Sequence, residues 1–206
     1  MTVDRLAHAA LLIVDMQNDF VRVGAPLEVP QARETITVHR ELIAFCRERD
    51  IPVLYTKFVA GPDHTLIWEW SPVLAPPICC CWKEHLRYYD DVGKELDCSD
   101  IISEIYPEPA DPIVEKFGYG SFHNTNLDDL LRARHVESLF VTGTVTQICV
   151  EETAREAFKR GYKTTIVSDA VSSYLPDLHA AVLKNFGLKF GWVSTAKELM
   201  ALVRGH

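Results

Sequence analysis

Three side chains in this sequence are of types that do nucleophilic chemistry together: the thiol of Cys149, the carboxyl of Asp15 and the amine of Lys116. Cys149 lies in Thr142-Gly143-Thr144-Val145-Thr146-Gln147-Ile148-Cys149-Val150-Glu151, after a strand-like apolar run and before a helical pattern over 152–160 that stops at Gly161. A thiol in the first turn of a helix sits beside unpaired N–H groups and the positive end of the dipole. Both favour thiolate, the nucleophilic form. Asp15 ends the apolar run that opens Ala9-Ala10-Leu11-Leu12-Ile13-Val14, and Lys116 ends Ile113-Val114-Glu115-Lys116 before a glycine-punctuated aromatic loop. A carboxylate can take the thiol proton, and a lysine can stabilise carboxylate and thiolate together. Singly, each has a blander role: a buried Cys packs as a small hydrophobe, an Asp caps a loop, and a strand-end Lys points to water. The joint occurrence decides, because all three stand at carboxyl ends of expected strands, the edge where open parallel sheets bind ligands.

The segments that carry them resemble the isochorismatase-like cysteine hydrolases, a superfamily that includes nicotinamidases, N-carbamoylsarcosine amidases, ureidoacrylate amidohydrolases and biuret hydrolases. The resemblance runs from about Leu11 to the end of the sequence. It rests on Asp15-Met16-Gln17-Asn18-Asp19-Phe20, the Lys116 strand, the Gly143-x-x-Thr146-x-x-Cys149-Val150 segment and Ser168-Asp169-Ala170, in that order. It implies that Asp15, Lys116 and Cys149 form a catalytic triad. It further implies that the backbone N–H groups of Val145 and Cys149 form an oxyanion hole, with a cis peptide between Thr144 and Val145. The implied reaction is hydrolysis of a small amide or ureide through a thioester, with release of ammonia or an amine.

Rival readings are weighed on residues. A true isochorismatase cleaves a vinyl ether and usually lacks the cysteine. Nicotinamidases carry Asp-x-His and a later His, whereas this chain offers only Asp63-His64 and His85. Neighbours in an extended segment point to opposite sides, so no metal and no cofactor is expected. A non-catalytic thiol sensor on the same fold has no need of the whole Asp–Lys–Cys set. Candidate substrate contacts are Phe20, Tyr119, Thr146 and Tyr174, each of which follows an expected strand end or adjoins the triad. No strand-end arginine lies nearby to clamp a carboxylate, which favours neutral ureides.

Composition agrees with a small-molecule enzyme. The net charge of −8 argues against nucleic acid and against anionic membrane surfaces. No apolar run has the length of a transmembrane helix, and the first residues lack a signal-peptide pattern. The six cysteines show no C-x-x-C spacing, so a reducing cytoplasm is the expected compartment. Within the triplet Cys79-Cys80-Cys81, adjacent residues do not easily share one tetrahedral ion, and these read as packed or partly exposed thiols.

The elements that must position the triad alternate. Strands are expected at about 10–15, 52–57, 113–116, 138–142, 163–168 and 190–193, and helices at about 31–49, 126–134, 152–160, 176–186 and 195–203. This predicts an α/β fold, a three-layer doubly wound sheet of six mainly parallel strands. The family resemblance implies the strand order 3-2-1-4-5-6, which sets the Asp15 and Cys149 strands side by side. The 206 residues suit one domain. Residues 59–110 form an irregular, aromatic-rich insertion, expected to carry short helices and to cover the active site or an interface. The expected assembly is a homotetramer or homodimer.

Overall fold

The computed structural model describes residues 8–63 and 69–204. In chain order its elements are β1 (Ala9–Val14), α1 (Asn18–Val21), α2 (Pro30–Glu34), α3 (Ile36–Arg47), β2 (Val53–Phe58), β3 (Leu86–Tyr89), β4 (Lys94–Asp97), β5 (Ile113–Lys116), α4 (Leu127–Ala133), β6 (Ser138–Thr144), α5 (Glu151–Lys159), β7 (Lys163–Ser172), α6 (Pro176–Lys189), β8 (Trp192–Ser194) and α7 (Ala196–Arg204). Six strands form one sheet in the order β5-β2-β1-β6-β7-β8, and every pairing in it is parallel. Counted along the chain, that is the order 3-2-1-4-5-6 that the family resemblance implied.

The apolar run of β1 explains its central place. Ala9, Leu11 and Ile13 face one core with Leu42, Phe45 and Cys46 of α3 and Leu199 of α7. Ala10, Leu12 and Val14 face the other with Leu127 and Leu131 of α4, Ala154 and Ala157 of α5 and Phe186 of α6. A strand covered by helices on both faces must be apolar at every position, not at alternate ones. Asp15 is the first residue beyond that run, so its carboxyl group emerges at the edge of the sheet.

Three details differ from the sequence reading. The helix expected over 31–49 is two helices, broken at Thr35, whose hydroxyl donates to the Ala32 carbonyl at 2.8 Å and competes with the backbone ladder. Strand β7 runs to Ser172, past the expected end at 168. A register shift in β6 between Val141 and Gly143 lets Val171 and Ser172 pair with Gly143 and Thr144. Besides two short 3-10 helices of the expected kind, the insertion holds an antiparallel hairpin, β3–β4, that was not expected. Its Leu-Arg-Tyr-Tyr strand is rich in β-forming residues, and Gly93 supplies the positive φ of 64° at the turn.

The insertion is stitched to the segment that follows Asp15. The Gln17 side-chain amide donates to the Phe58 and Ser99 carbonyls at 2.8 and 2.6 Å. The backbone N–H groups of Asn18 and Asp19 donate to the Asp100 and Cys98 carbonyls. Among the described residues, no helix is long and apolar enough to cross a membrane.

Candidate active site

Asp15 has a positive φ of 49° and no exposed surface. Thr56, on β2, fixes it from two sides: the threonine hydroxyl donates to Oδ1 at 2.6 Å and accepts from the Asp15 N–H at 3.2 Å. Lys116, also fully buried, places Nζ 2.8 Å from Asp15 Oδ2. Its remaining protons go to the carbonyls of Gly118 at 3.1 Å and Tyr119 at 2.7 Å. One carboxylate and two carbonyl oxygens therefore surround the ammonium, the kind of company a buried lysine requires. Burial by itself would lower the Lys116 pKa. The Asp15 carboxylate and the Cys149 sulfur outweigh it, and the net shift is upward. The side chain stays charged.

The thiol of Cys149 completes the set, buried and close enough to both Asp15 and Lys116 for each to shift it. Its backbone belongs to a single π-helical turn, Thr146–Val150, that leads into α5. The wide turn is closed by Val150 N–H to the Val145 carbonyl at 3.2 Å, a five-residue loop of the kind that recurs at functional sites. Burial is the largest influence on the thiol and pushes its pKa up. Lys116 pulls it down, and the Asp15 carboxylate pushes it up again. The net upward shift corrects the expectation of a resting thiolate. A helix start supplies a modest field, whereas full dehydration next to a carboxylate disfavours a second negative charge more strongly.

Backbone geometry brings the cysteine turn against Asp15. Gly143 pairs with Val14 across β6 and β1, with φ at 103°. A Cβ there would sit 2.0 Å from the Val14 carbonyl oxygen. The Thr142 hydroxyl donates to the Leu12 carbonyl at 3.1 Å, which adds a side-chain tie between the same two strands. The Thr144–Val145 peptide is cis, as the resemblance implied. Val145, just before the turn, and Cys149, within it, are the expected oxyanion-hole residues and are both buried.

The four expected substrate contacts separate into two groups. Phe20 and Tyr119 belong to one aromatic row. The Phe20 ring centroid lies 6.5 Å from that of Phe58, which lies 6.2 Å from that of Tyr119. Phe58 escaped the sequence reading, although its ring lies 5.4 Å below the Lys116 ammonium. The available signal was register, since Phe58 is the β2 partner of Lys116. Thr146 is buried and engaged. Its hydroxyl donates to the Ser172 carbonyl at 2.9 Å and so accepts from the Nδ1–H of His179, also at 2.9 Å. It thereby ties the cysteine turn to β7 and α6. Tyr174 is 45% exposed in the segment after β7 and makes no ring contact with the aromatic row among the described residues. Gln147 was also missed. Both polar atoms of its amide are buried without a partner, beside a cavity of ≈ 630 Å³ that it lines with Tyr119, Ile148 and α5.

Of the weighed metal donors, Asp63 is exposed and His85 half-buried, and His64 lies outside the described residues. Among the described residues, Asp63 and His85 do not join a third donor.

Comparison with known proteins adds a family. The Isochorismatase domain matches residues 9–198. The chain is 30% identical over 202 residues to Nicotinamidase 3 of Arabidopsis thaliana, covering 96% of this chain and 90% of that protein. It is 29% identical over 208 residues to the ureidoacrylate amidohydrolase RutB of Rhizobium rhizogenes, covering 96% and 84%. Among solved structures it is similar to N-carbamoylsarcosine amidase from Thermoplasma acidophilum, with a TM-score of 0.72 and 31% identity over 92% of this chain and 97% of that one.

Proposed function

The chain belongs to the isochorismatase family, and from that premise we propose that it is a cysteine-dependent amidohydrolase acting on a small linear amide or ureide. The observation that carries the proposal is a buried Asp15–Lys116 ion pair with the buried Cys149 thiol beside both of its members. A packed structural cysteine needs neither partner.

In this reading Asp15 takes the proton from Cys149 as the sulfur bonds to the substrate carbonyl carbon, so thiolate forms only as it is consumed. Lys116, paired with the Asp15 carboxyl group at 2.8 Å, offsets the negative charge that passes to the substrate oxygen. The N–H groups of Val145 and Cys149 receive that oxygen, an interaction whose loss typically costs about 3 kcal/mol per donor. Asp15 then returns the proton to the departing nitrogen, and ammonia or an amine leaves. Water adds to the thioester with Asp15 as base, and the proton ends on the cysteine sulfur. Each step uses one proton and one carboxylate, so the cycle closes without a cofactor.

The aromatic row of Phe20, Phe58 and Tyr119 suits a flat, neutral group, and the RutB and N-carbamoylsarcosine amidase likenesses point to carbamoyl compounds. A second reading, hydrolysis of an aromatic amide, is favoured by the likeness to Nicotinamidase 3. We place the enzyme in the cytoplasm as a homodimer or homotetramer. The test is ammonia release from a panel of biuret, ureidoacrylate, N-carbamoyl amino acids, nicotinamide and simple amides. Turnover of a carbamoyl compound with kcat/KM well above that for nicotinamide is expected. Preference for nicotinamide would select the second reading, and turnover of no amide would remove both.

A further inference from the structure

Distinct from Cys149, the described residues hold one cluster of thiols and carboxylate that the proposed mechanism does not use. Its centre is Asp19, Cys80 and Cys81, whose ligand atoms all lie within 4.8 Å of one another and are buried. We propose that these three residues, with Cys98 as fourth donor, form a zinc site that fastens the 59–110 insertion to the helix after Asp15.

The geometry answers the objection that adjacent cysteines cannot share an ion. Cys79 and Cys81 both adopt positive φ, 52° and 55°, a conformation that non-glycine residues enter only when the surroundings hold them there. This folds the triplet so that the sulfurs of Cys80 and Cys81 stand 3.7 Å apart on one side. A tetrahedral ion with Zn–S bonds of about 2.3 Å spans neighbouring sulfurs by roughly 3.8 Å. Cys98, the residue after β4, is fully buried; its thiol donates to the Trp82 carbonyl at 3.2 Å and is the one donor of the four that must turn to reach the ion. The set is therefore sulfur-rich with one hard oxygen, a combination that selects zinc-class ions.

Outer groups hold the carboxylate in place. Asp19 Oδ1 accepts from Arg87 Nε at 2.9 Å and from the Tyr89 hydroxyl at 2.7 Å, and Oδ2 accepts from the Cys81 N–H at 2.8 Å. A carboxylate has about four acceptor positions, so one on Oδ2 remains for an ion. Such outer-shell bonds orient metal ligands in established sites. Binding replaces the thiol protons of Cys80, Cys81 and Cys98 with one Zn²⁺, and three protons are released. Once the Arg87 guanidinium is counted, the filled site carries a single net negative charge.

The location gives the ion a structural task. The Cys81 carbonyl accepts from the Ala60 N–H at 3.0 Å, just beyond β2, and Asp19 lies on α1 four residues after Asp15. An ion here clamps three chain segments that otherwise meet through hydrogen bonds.

The test starts from full-length protein stripped by a chelator under reducing conditions and titrated with zinc or cadmium. One ion per chain is expected by elemental analysis after dialysis, with proton release and, for cadmium, an ultraviolet thiolate-to-metal band. Cys149→Ser should retain the ion. The double variant Cys80→Ser with Cys81→Ser should lose it, and zinc should raise the melting temperature of the wild type and of Cys149→Ser but not of the double variant. Cys98→Ser should weaken binding by about tenfold or more. If the double variant does not fold, the cadmium band of the wild type decides together with Cys98→Ser. Absence of a stoichiometric band, or loss of the ion in Cys149→Ser with retention in the double variant, would overturn the proposal.

Discussion

At Cys149 two physical effects compete, and their magnitudes decide the resting state. A helix terminus contributes about 0.3–1 kcal/mol at an exposed site and up to about 2 when partly buried. Removing a titratable group from water shifts its pKa by up to 3–5 units when burial is complete, and each unit is about 1.4 kcal/mol. The thiol is buried beside the Asp15 carboxylate, and its pKa is raised despite Lys116. The sign follows directly: a raised thiol pKa leaves less thiolate at neutral pH than a free cysteine has. Without substrate, iodoacetamide should therefore label Cys149 more slowly than free cysteine at about pH 7, and the rate should climb as pH rises beyond the ordinary thiol range. Peptide mass spectrometry across a pH series reads this. A rate that is already maximal below about pH 7 would mean a resting thiolate–lysine pair and a different role for Asp15. The same reasoning makes Thr146 a positioning residue, since both its neighbours, Ser172 and His179, are parts of the scaffold.

Elements place these residues through two glycines whose requirements are opposite. Gly143 combines a φ of 103° with a Cβ position 2.0 Å from the Val14 carbonyl oxygen, so Gly143→Ala must move β6 away from β1. A loss of about 1–3 kcal/mol or more in stability is expected from backbone strain, with a larger fall in kcat, because the shift separates Cys149 from Asp15. Gly187, inside α6, would give its Cβ only an ordinary contact with Val193 at 3.5 Å. Gly187→Ala should stabilise by about 0.5–1 kcal/mol and leave kcat unchanged. Urea denaturation of both variants separates close approach from chain entropy. The long apolar run that ends at Asp15 was readable because a strand buried on both faces has no polar position until it emerges. The β3–β4 hairpin was not readable, because Leu86 and Tyr88 face solvent while Tyr89 is buried to reach Asp19, a pattern too short to announce a strand. Nor could periodicity show that Cys79 and Cys81 take positive φ, which is what gathers the thiols. Phe58 read as one more strand residue, since only the β2–β5 register sets it beside Lys116.

On the scale of the whole molecule, the insertion exposes Trp70 at 83% and Leu86 and Tyr88 at 59% each; Trp68 lies outside the described residues. Exposed apolar residues grouped in one segment are typical of contact surfaces, and a two-fold assembly would bring this one against its own copy. Light scattering at micromolar concentration should give a multiple of the 23.3 kDa chain mass, reduced by Trp70→Glu. A fully active monomer would remove the assembly while leaving the chemistry intact. That chemistry depends on the sheet as a unit, because β1, β5 and β6 each deliver one member of the Asp15–Lys116–Cys149 set from well-separated stretches of chain. The most direct measurement is mass spectrometry of enzyme quenched during turnover of its slowest accepted amide. An acyl group on the peptide that contains Cys149 is predicted, absent in Cys149→Ser. Asp15→Asn and Cys149→Ala should each lower kcat by about 10⁴-fold or more, with little further loss when combined. Turnover by Cys149→Ala at the wild-type rate, with no adduct on the native protein, would contradict the account.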